Sequence, residues 1–120
     1  MKQPIITRDI ERKAIYTNIM YDPEWLTIEA VVNEEDSMLE LYISNCTYNY
    51  VVDWGDGIIE KNSDAHNYKK CGTYIVRIKG SIIYKGDPAD RCGLFDSDFY
   101  FKAILYGSKF DTNLHLFSSS

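Results

Sequence analysis

The sequence of 120 residues is short of prolines, with three, and of histidines, with two. The first shortage argues against a proline-rich linker and, with 45% hydrophobic residues, against a disordered chain. The second leaves no neighbouring histidine pair for a metal site, and the odd set Cys46, Cys71 and Cys92 has no Cys-x-x-Cys spacing. Reduced thiols fit that set better than a disulfide framework or zinc. No apolar run approaches the roughly 18 residues of a membrane span, and charge interrupts the first ten residues before any secretory apolar region forms. We therefore expect a cytoplasmic protein with no membrane partner. There is also no glycine-rich phosphate loop ahead of a helix, no Gly-x-Ser-x-Gly elbow, no internal repeat and no helical periodicity of useful length.

What is present is tyrosine, ten residues against five phenylalanines, a balance that suits strands and half-wet surfaces. The length fits one domain over residues 1–120 with a single core and no need of disulfide staples. Residues 1–20 read as a leading strand or an irregular arm, and Ser118–Ser120 as a frayed tail. Alternating apolar residues place strands at Trp25–Val32, Met38–Ile43, Tyr48–Trp54, Ile58–Lys61, Thr73–Lys79 and Phe99–Tyr106. Asn33–Ser37 reads as a hairpin turn, Asn62–Lys70 as a polar loop crossing between sheets, and Gly80 as the end of a strand that Ser81–Tyr84 either extends or follows. Turns are expected around Gly107-Ser108 and Asp111-Thr-Asn113. Within the third strand the period of two sets Tyr48, Tyr50, Val52 and Trp54 on one face and Asn49, Val51 and Asp53 on the other. Trp54 is then a core residue, and Gly55-Asp56-Gly57 supplies the positive-φ positions of a tight reversal. The fold class expected is all-β, an antiparallel β-sandwich of about seven or more short strands.

The order Asp53-Trp-Gly-Asp-Gly57, His66-x-Tyr68 and Gly72-Thr-Tyr74-x-Val76 resembles the core signature of polycystic-kidney-disease (PKD) type domains over residues 48–80. It is most similar to the variant that precedes the leucine-rich repeats of bacterial BspA-like surface proteins. The resemblance implies a PKD/immunoglobulin-like sandwich, a non-catalytic binding role, and a structural part for His66 in bracing the Gly-Asp-Gly turn by hydrogen bonding. A start at a plain Met1 leads us to expect a freestanding copy without a secretion signal.

Charge supplies the remaining functional clue. Residues 21–65 hold eleven acidic side chains against Lys61 alone, a local charge of −10 within a chain of net −5. Direct nucleic-acid binding is disfavoured there by phosphate repulsion, and a basic protein partner suits such a surface better. Glu34, Glu35 and Asp36, with the aromatic surfaces of Tyr48 and Tyr50, are the candidate binding residues; Asp53, Trp54, Gly55, Asp56, Gly57, His66 and Tyr68 are the candidate structural turn. Edge strands also offer a route to a homodimer. A nucleophile formed from Cys71 and His66 near Asp56 or Asp64 would need an oriented base. A calcium site would draw on Asp53 and Asp56 with Asp64 or Glu60, but EF-hand spacing is absent. No catalytic residue, metal or cofactor is assigned. Two functions remain: a non-catalytic module acting by protein–protein contact, and a small acidic inhibitor of the kind phages and mobile elements encode, which would block a host nuclease or nucleic-acid-binding defence complex.

Overall fold

β-Branched and aromatic residues in alternation build the whole structure. A computed structural model describes residues 19–86, 93–95 and 100–117, and among them there are ten strands and no helix. They are β1 (Trp25–Val32), β2 (Ser37–Glu40), β3 (Cys46–Asp53), β4 (Ile59–Lys61), β5 (Ala65–Tyr68), β6 (Gly72–Tyr84), β7 (Gly93–Phe95), β8 (Tyr100–Leu105), β9 (Asp111–Thr112) and β10 (His115–Phe117). The expected leading strand or arm lies outside the described residues except for Ile19 and Met20, as do Cys92 and the tail 118–120.

The larger layer is a six-stranded sheet in the order β4-β3-β6-β1-β8, with β9 also paired to β6. Facing it, β5 pairs with β2 and β7 with β10, and the two ribbons meet where Leu41 bridges Phe95 and Tyr42 N–H donates to Leu94 O at 2.9 Å. Leu26, Ile28, Tyr50, Val52, Trp54, Val76 and Ile78 of the large sheet and its turn pack with Leu39, Leu41, Tyr68, Leu94 and Phe95 in one buried cluster. Two layers closing on one apolar interior are consistent with a β-sandwich.

Several expectations are corrected by the pairing. Asn33–Ser37 does not close a hairpin, because β1 takes β6 and β8 as its neighbours while β2 pairs with β5 in the other layer. The segment is a crossover, held by Asp36 in the left-handed region (φ 58°) and by Ser37 Oγ donating to Glu34 O at 2.6 Å. Asn62–Lys70 is not all loop, since Ala65–Tyr68 forms β5 once Leu39 and its neighbours offer a partner edge. Asp111-Thr112 is a strand rather than a turn, and both β9 with β6 and β10 with β7 are parallel pairs in an otherwise antiparallel arrangement.

Gly80 does not end its strand. β6 runs through it to Tyr84, pairing with β3 from Arg77 to Tyr84 while its other edge passes from β1 to β9. At that changeover Gly80 has φ 121°, and a Cβ there would run into Asn49 O and Tyr50 Cα of β3. Only glycine lets the two backbones approach this closely.

Candidate interaction face around the Gly-Asp-Gly turn

β3 delivers Asp53 and Trp54 to the edge of the sandwich, and the chain reverses through Gly55-Asp56-Gly57 into β4. Gly55 adopts φ 87°, and a Cβ on it would stand 2.5 Å from Ile75 O, so the turn lies flat against β6. Each turn carboxylate caps a backbone amide two residues on: Gly55 N–H donates to Asp53 Oδ1 at 3.0 Å and Ile58 N–H to Asp56 Oδ1 at 3.3 Å. The second oxygen of each reaches across the fold. Asp53 Oδ2 accepts from Arg77 Nη2 at 3.1 Å, and Asp56 Oδ2 lies 2.6 Å from His66 Nε2.

Trp54 anchors this turn from within. It is fully buried, its ring stacks on His66 with centroids 5.0 Å apart, and its Nε1–H donates to Glu60 Oε1 at 2.8 Å. Tyr68 O–H donates to Trp54 O at 2.6 Å, and His66 meets the Tyr68 ring edge-on at 4.7 Å. Burial, reinforced by the negative charge of Asp56, pushes the Tyr68 phenol well above its ordinary range, so it is a fixed donor. All seven residues named for the structural turn therefore meet in one place.

The binding candidates do not. Glu34, Glu35 and Asp36 are exposed on the crossover beyond Val32, which pairs with Gly72 at one end of β6, whereas Tyr48 pairs with Ile82 near the other. Ten residues of extended chain separate the two places, on the order of 30 Å. Tyr50 is withdrawn as a contact residue: it is 1% exposed, its hydroxyl donates to Ser63 O at 2.7 Å, and burial raises its phenol pKa. Alternation is kept, but the strand runs from an exposed end at Tyr48, 41% accessible, into the core at Tyr50.

Neither chemical reading gains an assembled site. Cys71 is exposed and makes no hydrogen bond to His66, whose Nε2 is engaged by Asp56. Asp53 and Asp56 have their oxygens on amides, Arg77 and His66, and among the described residues no three His, Cys, Asp or Glu side chains gather into a metal-sized group.

The feature that strand alternation in single segments did not disclose is the outer face of the large sheet. The register lays its side chains in rows across the strands, because paired residues point to the same side. One row is Ile59, Asp53, Arg77, Thr27 and Leu105, and the row beside it is Lys61, Val51, Lys79 and Trp25. A groove of about 480 Å³ on this face is lined by Gly55, Gly57 and Ile59 together with Ile19 and Met20. Its floor contains Thr27, Ile75 and the Asp53–Arg77 pair. Met20 and Ile59 are 81% and 63% exposed, and Ile58 stands out of the same turn. The bulge that shifts the β1–β8 register between Glu29 and Ala30 turns Ala103 to this outer face and Phe101 to the core, where it meets Phe95.

Comparison with protein-family models, with curated proteins and with solved structures found no match to this chain. Among the described residues no helix is long and apolar enough to cross a membrane.

Proposed function

We propose that this chain is a non-catalytic β-sandwich module of PKD type that acts by protein–protein contact through the outer face of its large sheet, beside the Gly-Asp-Gly turn. The PKD assignment is supported by the turn itself: His66 bonds Asp56 and stacks on Trp54, a brace of the Gly-Asp-Gly turn of the kind the resemblance leads one to expect. The contact surface is carried by one observation, the exposure of Met20 and Ile59 around a groove whose wall is braced by five hydrogen bonds or ion pairs. Exposed apolar side chains gathered on a rigid frame are the usual core of a binding patch, because association then costs little ordering.

The test is capture of a partner from host lysate by the wild-type chain and by Ile59→Asp, with circular dichroism to check the fold. The exposed site should tolerate the charge, and the partner held by the wild type should be lost by a factor of ten or more, roughly a hot-spot contribution. Undiminished capture by Ile59→Asp would move the contact elsewhere.

The inhibitor reading now rests on Glu34, Glu35 and Asp36, with Glu40 and Asp64 also exposed. Of the other acidic side chains in residues 21–65, Glu29 is buried, Glu24 faces Lys109 at 3.4 Å, and Asp53, Asp56 and Glu60 are engaged within the turn. A nuclease partner lost on charge reversal of those three residues, with steep salt dependence, would favour it over the apolar face.

A further inference from the structure

We infer that the segment docked on this outer face is acidic: an extended peptide that sets a carboxylate against Arg77, Lys79 and Lys61 beside an apolar side chain in the groove. The inference rests on the contact reading above and adds the chemistry of the partner, opposite in sign to the basic partner that the acidic stretch of sequence leads one to expect.

The charge on the face differs from that of the chain. Although the whole protein carries −5, Lys61 and Lys79 flank Val51 on this surface and Arg77 stands in the next row. Lys61 and Lys79 are exposed and neither makes an ion pair among the described residues. Against these three cations the described residues of this face show two accessible carboxylates: Asp53, which is already held by Gly55 N–H and by a single Arg77 nitrogen, and Asp111, which lies opposite Ser81 in the row beyond Lys79. Glu29 lies on the same face but is 1% exposed. Glu60, opposite Val52, belongs to the other side of the sheet, where it receives Trp54 Nε1–H.

The cations are also held in position. The Arg77 guanidinium carbon lies 4.8 Å and the Lys79 Nζ 5.2 Å from the centroid of the Trp25 ring. Stacking on an indole fixes the long side chains and leaves their remaining donors directed outward, so less rotamer freedom is lost when a carboxylate arrives. Arg77 is 40% exposed and only its Nη2 is engaged, leaving a guanidinium edge of the geometry that carboxylates take in pairs of bonds. The neighbouring apolar positions, Met20, Ile59 and Ile75, require a partner that alternates charge with hydrocarbon. A peptide does so, whereas a nucleic-acid backbone needs a longer run of cations to release its counterions.

The experiment titrates the full chain with a synthetic dodecapeptide alternating Leu and Glu, with its Leu-Lys counterpart, and with a single-stranded DNA dodecamer, reading amide chemical shifts. The acidic peptide should bind at least about tenfold tighter than the basic one, with shifts at Trp25, Gly55–Ile59, Arg77 and Lys79. Lys61→Glu with Lys79→Glu should weaken it by about tenfold, as loss of a charged contact does, and increasingly so at low salt. Tighter binding of the basic peptide or of the DNA, or an affinity unmoved by the double reversal, overturns the inference. If in such a case Met20→Ser and Ile59→Ser still weaken the bound probe, the contact face stands and only its charge preference falls. Shifts that map away from this face in every titration remove both.

Discussion

Asp56 is the residue on which the turn depends most directly, because one carboxylate both caps Ile58 N–H and holds His66. Asp56→Ala removes both bonds and leaves His66, stacked on Trp54, without its partner. Urea unfolding should show a loss of roughly 1–2 kcal/mol, and a curve superimposable on wild type would mean that the turn does not need its cap. Thr27 makes the opposite case. Its Oγ1 is buried on the outer face with no hydrogen-bond partner among the described residues, as is Glu29 Oε1 two residues along the same strand. A buried hydroxyl without a partner forfeits its hydration and regains nothing, so Thr27→Val, which keeps the branched shape, should raise stability by about 1 kcal/mol. A fall in the melting midpoint would show that the hydroxyl is bonded in solution.

Among the elements, β6 determines the architecture, since its thirteen residues pair with β3, β1 and β9. Its continuity turns on Gly80, where backbone meets backbone. Gly80→Ala must adopt an unfavourable φ and push β3 away from β6, so it should cost more than about 2 kcal/mol, well beyond an ordinary surface change. Thermal unfolding of this variant within a few degrees of wild type would contradict the close approach. Two asparagines finish the ladders on either side of that contact. Asn62 accepts from Tyr50 N–H through Oδ1 and returns its own N–H to Tyr50 O, both at 2.9 Å. Asn113 accepts from Tyr84 N–H at 2.8 Å and donates Nδ2–H to Tyr84 O at 3.1 Å. In each case a side-chain amide stands in for a strand that has stopped, which closes backbone groups that would otherwise be open at the sheet edge.

At the scale of the whole molecule, the tyrosines couple the core to alkaline pH. Burial is the first cause raising the phenols of Tyr50 and Tyr68 above the ordinary 10.0, and nearby aspartates, Asp64 and Asp56, add to it. A raised folded pKa means that the neutral form is favoured in the native state. The associated stability is complete below the unfolded value of 10.0 and is lost as pH rises above it. Phenolate absorbance of these two residues should therefore appear together with loss of the β-sheet circular dichroism above that pH. Titration of Tyr50 and Tyr68 before any unfolding would show that the two hydroxyls are accessible.

Alternation was sufficient to place β1 at Trp25–Val32, because apolar side chains every second residue give a strand one continuous apolar side. Gly55-Asp56-Gly57 declared its reversal for an equally local reason, and Trp54 its burial. Partnership is not local. Trp25 lies opposite Lys79 and Thr27 opposite Leu105, and nothing in either strand's own pattern selects those neighbours over β2. β5, with Ala65-His-Asn-Tyr68, carries too little β-branched character to be read as a strand and forms because β2 offers an edge. The same long-range choices bury Tyr50, part Glu34–Asp36 from Tyr48, and scatter an acidic stretch that looks like one surface in the sequence. They also gather Lys61, Arg77, Lys79 and Trp25, drawn from β4, β6 and β1, onto one face. The sequence by itself determined which residues share the side of a strand and where the chain must turn, since steric preference and side-chain period act over a few residues. Only the tertiary structure decided which sides became core, turn brace or contact face, since that depends on hydrogen-bonded pairing between residues far apart in the chain.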